Sequence, residues 1–80
     1  MFYVYVLRSK RNGRFYVGST KDVKKRLVEH NSGKSKAIRY NRPLELIYTE
    51  QYSTRSDVVK RERFLKMGQG RVWLKEKLSL

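Results

Sequence analysis

Eighty residues allow one domain with a small core. There are 20 Lys and Arg against 7 Asp and Glu, a net charge of +13 and a pI near 10.4. Such a balance implies a polyanionic partner, nucleic acid first, with an anionic membrane or acidic protein behind it. The lack of cysteine excludes disulfides and thiolate metal sites and fits a reducing, cytoplasmic interior. A single histidine argues against a zinc cluster, so any metal is expected to be a hard, oxygen-held ion such as magnesium. No apolar run approaches the roughly 18–20 residues of a membrane span, and no signal-peptide pattern opens the chain.

Residues 2–8 are aromatic and β-branched, as strands prefer. Asn12-Gly13 is a hairpin turn signal, and residues 14–18 supply the second strand. Strand alternation puts Phe2, Val4 and Val6 on one face and Tyr3, Tyr5 and Leu7 on the other. Phe15 and Val17 then join the Phe/Val face, which is expected to form a core. Tyr16 takes the opposite face with Tyr5, and Gly18 gives room beside them. Ordinary half-buried sheet tyrosines would look the same.

A helix follows, ending near His30. Thr20 or Ser19 is expected to cap it, with Asp22 in its first turn. At about 100° per residue, Val23, Arg26, Leu27 and His30 share one third of the circumference. Arg26 and the only histidine therefore border the stripe that docks on the sheet. Surface pairing of Arg26 with Asp22 or Glu29, and dipole stabilisation of His30, are the plainer alternatives.

Residues 31–43 read as a loop, with Gly33 ending the helix and Pro43 preventing another. Lys34, Lys36, Arg39 and Arg42 carry four positive charges with no acid between them, and Tyr40 lies among them. This segment is either a solvated basic loop or a nucleic-acid clamp, with Tyr40 stacking on a base. Residues 44–50 alternate as a third strand, with Leu44, Leu46 and Tyr48 on one face and Ile47 and Thr49 on the other. Thr54 and Asp57 resemble a capping box opening a second helix, which should run to about Met67 and stop at Gly68 or Gly70. Glu62 falls within its apolar sector. There it needs a cation, a donor or a metal, and an i,i+4 pair with Lys66 would suffice. Residues 71–80 suggest a short terminal helix, with Trp73 as a core or lid residue. No repeat or linker suggests a second domain.

Tyr3-Val4-Tyr5, ten residues, then Tyr16-Val17-Gly18, together with Arg26, His30 and the later Glu62, resembles the GIY-YIG nuclease superfamily. The wording from His30 to Lys36 is similar to its small single-domain bacterial members. Two positions depart from the motif: Tyr3 stands for its first glycine and Val17 for its isoleucine. The resemblance covers nearly the whole chain. It implies an α+β fold over residues 1–80, β-β-α-β-α-α, with the third strand completing an antiparallel sheet. It also implies one-metal hydrolysis of DNA phosphodiesters, with RNA the less expected substrate. In that scheme Tyr5 is general base or proton relay, and His30 or Tyr16 takes or orients the proton. Arg26 contacts a phosphate oxygen, and Glu62 holds one Mg²⁺ or Mn²⁺. The same residues also permit a non-catalytic basic nucleic-acid-binding module, or a nuclease subunit whose specificity comes from a protein partner.

Overall fold

The computed structural model describes residues 1–33 and 41–79. Its elements are β1 (Phe2–Ser9), β2 (Phe15–Thr20), α1 (Val23–Asn31), β3 (Leu44–Tyr52), α2 (Arg55–Lys66) and α3 (Gly68–Lys77). They form the expected α+β architecture. The sheet has three antiparallel strands in the order β2-β1-β3, so the most apolar strand lies in the middle and is hydrogen-bonded on both sides.

The β1–β2 hairpin closes at Gly13, whose φ of +76° is the left-handed conformation glycine tolerates. Its N–H donates to the Ser9 carbonyl at 2.9 Å. Ser9 is buried and organises the turn: its Oγ accepts from the N–H groups of Arg11 and Asn12 at 3.1 and 3.2 Å and donates to the Asn41 carbonyl at 2.6 Å.

The alternation expected of β1 is present and divides the molecule into layers. Val4 and Val6 are fully buried with Val58, Leu65 and Leu74, under α2 and α3. Each such side chain contributes about 1.5–3 kcal/mol on burial. On the other face Tyr5, Leu7 and Leu44 pack with Tyr16, Val23 and Leu27, under α1. The sheet is thus covered on both faces by different helices, and β2 and β3 are its edges.

Three expectations need correction. β3 does not alternate throughout, because a bulge lets Val6 pair with Tyr48 while Leu7 pairs with Leu46. One extra residue reverses the facing of everything beyond it. Leu44 therefore packs with Tyr5 and Leu7, whereas Ile47 and Tyr48 both pack on the Val4/Val6 core. The cap of α1 is Asp22, not Thr20 or Ser19: its Oδ1 accepts from Lys25 N–H at 3.0 Å, and Thr20 Oγ1 accepts from Asp22 N–H at 3.1 Å. Finally, α2 ends where expected, at Lys66 with Met67 as cap, but α3 begins at Gly68 rather than Arg71. Gly70 does not stop a helix. It is buried where α3 meets α2, and a Cβ there would lie 1.8 Å from the Phe64 carbonyl oxygen.

Candidate active site

The first component is Tyr5, central in β1 and 4% exposed. It pairs directly with Gly18 of β2. A Cβ built on Gly18 would lie 2.4 Å from the Tyr5 hydroxyl oxygen, so the phenol lies against the glycine backbone. Its hydroxyl is 3.0 Å from His30 Nε2, and Arg26 Nε–H donates to it at 3.5 Å. Arg26 and His30, one turn apart, thus converge on a single oxygen.

Helix α1 is fixed at both ends. Asp22 caps its start. At its end the Asn31 amide donates to the Leu44 carbonyl at 3.0 Å and accepts from Leu44 N–H at 2.8 Å. That two-way bond ties the turn carrying His30 to the first residue of β3. His30 is 6% exposed, and its Nδ1 has no hydrogen-bond partner among the described residues. Burial lowers the imidazole pKa, and the neighbouring Arg26 charge lowers it further, so His30 is neutral at pH 7. Arg26 in turn donates hydrogen bonds to Tyr5 and Glu29, which stabilise its guanidinium as a cation.

Glu62 arrives from the opposite face. Val17 and Ser19 of β2 point towards α2, and Glu62 reaches around this edge strand. A pocket of about 320 Å³ straddles the edge, lined by Tyr5, Tyr16, Gly18, Arg26, His30 and Glu62, with Ser19 and Lys66 beside them. Burial pushes the Glu62 carboxyl up. Hydrogen bonds from Lys66 and Ser19 together outweigh that and hold it below the usual range, as a carboxylate. Lys66 Nζ donates to it at 2.6 Å. The i,i+4 pair and the place in the pocket therefore coexist.

Among the described residues no three acids or histidines are grouped to cage a metal. Glu62 offers one carboxylate in an open pocket. That suits Mg²⁺, which keeps several waters and takes one or two carboxylates together with substrate phosphate.

Tyr16 lines the same pocket, but its hydroxyl accepts from the Asn41 side-chain amide and has no bond to His30. Tyr3 pairs regularly with Thr20 and Gln51, so replacing the motif's first glycine leaves the strand intact and Tyr5 in place. Arg42 donates to the Asn31 carbonyl at 3.3 Å, at the end of α1. Lys34, Lys36, Arg39 and Tyr40 lie outside the described residues.

Three participants escaped the sequence reading. Ser19 reads as a cap candidate, though its place two residues after Val17 puts it on the α2 side. Asn41 carried no signal. The third is Glu50, which accepts from Tyr48 at 2.5 Å, Tyr52 at 2.6 Å and Arg61 at 2.8 and 3.0 Å. Arg61 also stacks 4.5 Å over the Trp73 ring. This network ties β3, α2 and α3 together one residue before Glu62.

A strand pair with opposed Tyr5 and Gly18, a helix Arg/His pair and a single glutamate across a β edge define a site of one class. The chain matches the family model described as the GIY-YIG catalytic domain over residues 1–75 and belongs to that family, which places it in a nuclease superfamily. A UPF0213 protein of Staphylococcus saprophyticus is 38% identical over 65 residues, covering 80% of this chain and 78% of the relative. One from Staphylococcus epidermidis is 42% identical over the same length, with the same coverage. One from Bacillus pumilus is 39% identical over 79 residues, covering 98% of this chain and 74% of the relative. No solved structure matches the chain.

Proposed function

We propose that this protein is a Mg²⁺-dependent endonuclease that hydrolyses DNA phosphodiester bonds at the β2-edge pocket. The convergence of His30 Nε2 and Arg26 Nε on the Tyr5 hydroxyl, with Glu62 across the same pocket, carries this reading.

Tyr5 is the group that takes the proton from the attacking water as its own proton passes to His30 Nε2. His30 suits that role because burial and Arg26 keep it unprotonated at neutral pH. Tyr16 shapes the pocket from its bond to Asn41. Arg26 stabilises charge on a non-bridging phosphate oxygen, where the guanidinium fork matches two acceptors. Glu62 would hold the metal ion, which would supply charge stabilisation for the departing 3′-oxygen. The net charge of +13 draws the substrate in.

The test is a panel of labelled duplex, single-stranded, flap and branched DNA with Mg²⁺ or Mn²⁺, run beside Glu62→Ala. Cleavage should end with chelator and in the variant. Glu62→Ala cutting as fast as the parent would remove the metal role.

One observation favours a second reading, a basic module that binds nucleic acid without cutting it. Both key charges already have counter-ions: Glu62 has Lys66, and Arg26 has Glu29 at 3.1 Å. That reading predicts salt-dependent binding and no cleavage in any divalent ion.

A further inference from the structure

A second and larger concavity, about 740 Å³, adjoins the candidate active site along β2. Its volume lies within the range of about 300–1,000 Å³ typical of ligand sites. Half-buried Phe15 and Val17 give it an apolar floor, backed by the buried Leu65 and Leu74, and Arg14, Lys66, Arg71 and Lys75 surround that floor with four cations. No acid lines it. Arg14, Arg71 and Lys75 make no ion pair among the described residues, whereas the other cations at the neighbouring pocket do. The two concavities share Tyr16, Val17 and Lys66, so the groove opens directly beside Tyr5 and Glu62.

We propose that this groove is the subsite for the nucleotide adjoining the scissile phosphate. The backbone phosphates meet Arg14, Arg71 and Lys75, and an unstacked base lies on the apolar floor. The proposal rests on the nuclease reading of the adjoining pocket. Its chemistry is that of single-strand binding surfaces, where cations track the backbone and base faces meet apolar or aromatic side chains. An acidic peptide would match the cations but would leave the floor without a flat partner. A nucleotide satisfies both.

The test compares two triple variants of equal charge change. One is Arg14→Ala/Arg71→Ala/Lys75→Ala, all exposed groove residues. The other is Lys24→Ala/Arg55→Ala/Lys60→Ala, exposed residues that line neither concavity. Both are built on Glu62→Ala, and circular dichroism verifies folding. Binding of a fluorescent oligonucleotide is measured against salt, without metal. The groove triple should lower the slope of log affinity against log salt by about 2–3, since each lost phosphate contact removes about 0.7–0.9. The control triple should lower it by less than about 1. An abasic residue scanned along the oligonucleotide should weaken binding roughly tenfold at one position, the size of a lost stack. That position effect should disappear in the groove triple.

Equal slopes for the two triples would mean the cations act only through net charge, and would overturn the proposal. So would unchanged DNA binding with altered self-association or altered binding of a poly-glutamate peptide, which would make the groove a protein-docking face. Cleavage by the parent is scored separately. Groove-dependent binding without any cleavage would sink the enzyme reading and leave the groove as a nucleic-acid site. Cleavage with groove-independent binding would do the reverse.

Discussion

Gly18→Ala tests the site with a single methyl group. The added Cβ would lie 2.4 Å from the Tyr5 hydroxyl oxygen and 2.5 Å from its Cζ. Ordinary carbon contacts lie at about 3.5–4.0 Å, so the ring must retreat by roughly 1 Å. It cannot retreat into solvent, because Tyr5 is 4% exposed. His30 Nε2 lies 3.0 Å from the hydroxyl, so a shift that spares the methyl disturbs this bond or the one from Arg26. Overpacking of this kind costs about 1–3 kcal/mol. Replacing a strand glycine returns roughly 0.5–1 kcal/mol. The net, about 0–2.5 kcal/mol, corresponds to a fall in Tm of at most roughly 20 °C for a chain of this size, so the variant should remain folded in the cold.

Activity should suffer far more than stability. On the proposed reaction a displacement of about 1 Å costs on the order of 100-fold. Single-turnover cleavage should show that loss, and the His30 ring protons should show an altered titration by NMR. A double-mutant cycle sharpens the argument. In a Tyr5→Phe background the hydroxyl is already gone, so adding Gly18→Ala should cost little further activity. Parental cleavage by Gly18→Ala, with His30 titrating as before, would refute the claim that the glycine positions the phenol. Additive losses in the cycle would refute it equally.

Three further outcomes are expected. His30 titrates below its ordinary value of 6.5 because it is buried beside Arg26; its neutral form therefore contributes stability above about pH 6.5 that is lost as pH falls through the lowered folded pKa. Denaturation midpoints across pH 5–8 should show this slope, and His30→Asn should flatten it. Arg61→Met strands Glu50 between two tyrosines, and should cost about 2–4 kcal/mol by urea unfolding; Glu50→Gln in the same chain should recover part of it, because the uncompensated charge is gone. Lys66→Ala removes the ammonium from Glu62, so Mn²⁺ should bind more tightly by titration calorimetry while DNA binds more weakly; unchanged metal affinity would count against Glu62 as its ligand.

What the sequence reveals about this fold depends on whether the signal is periodic or relational. Strand β1 declares both its faces, because alternation within eight residues needs no knowledge of neighbours. Gly18 beside two tyrosines and the Arg26/His30 spacing are likewise local patterns. The bulge in β3 is not. It exists because Tyr48 must reach the Val4/Val6 core while Leu44 closes over Leu7, and only the assembled sheet imposes both demands. The start of α3 misleads for a similar reason. Gly68 and Gly70 look like helix stops, but Gly70 is small because α3 crosses the Phe64 carbonyl there. The Glu50–Arg61 network joins residues eleven apart in different elements, a relation no helical or strand period marks. Glu62 stands between these cases: its place in the apolar sector was legible, whereas its wrap around the β2 edge to Ser19 was not.

The two readings of the site differ over the meaning of its ion pairs, and magnitudes favour the catalytic one. Exposed pairs of this kind contribute only about 0–1 kcal/mol. The side chains of Arg26 and Lys66 are 44% and 52% exposed, and those of Glu29 and Glu62 are 28% and 22% exposed. Exchanging Glu29 for a phosphate on Arg26, or Lys66 for a divalent cation on Glu62, therefore meets a small opposing term. A hydrogen bond from a charged donor to a phosphate, about 1.5–3 kcal/mol, exceeds it. The contrast with Glu50 and Arg61 is instructive. That pair is 15% and 26% exposed, is bonded twice, and has two tyrosines and a tryptophan closed around it. It is built to stay together. The pairs at the β2 edge have none of that enclosure, and Tyr5, the group between them, is held by bonds that do not depend on either acid.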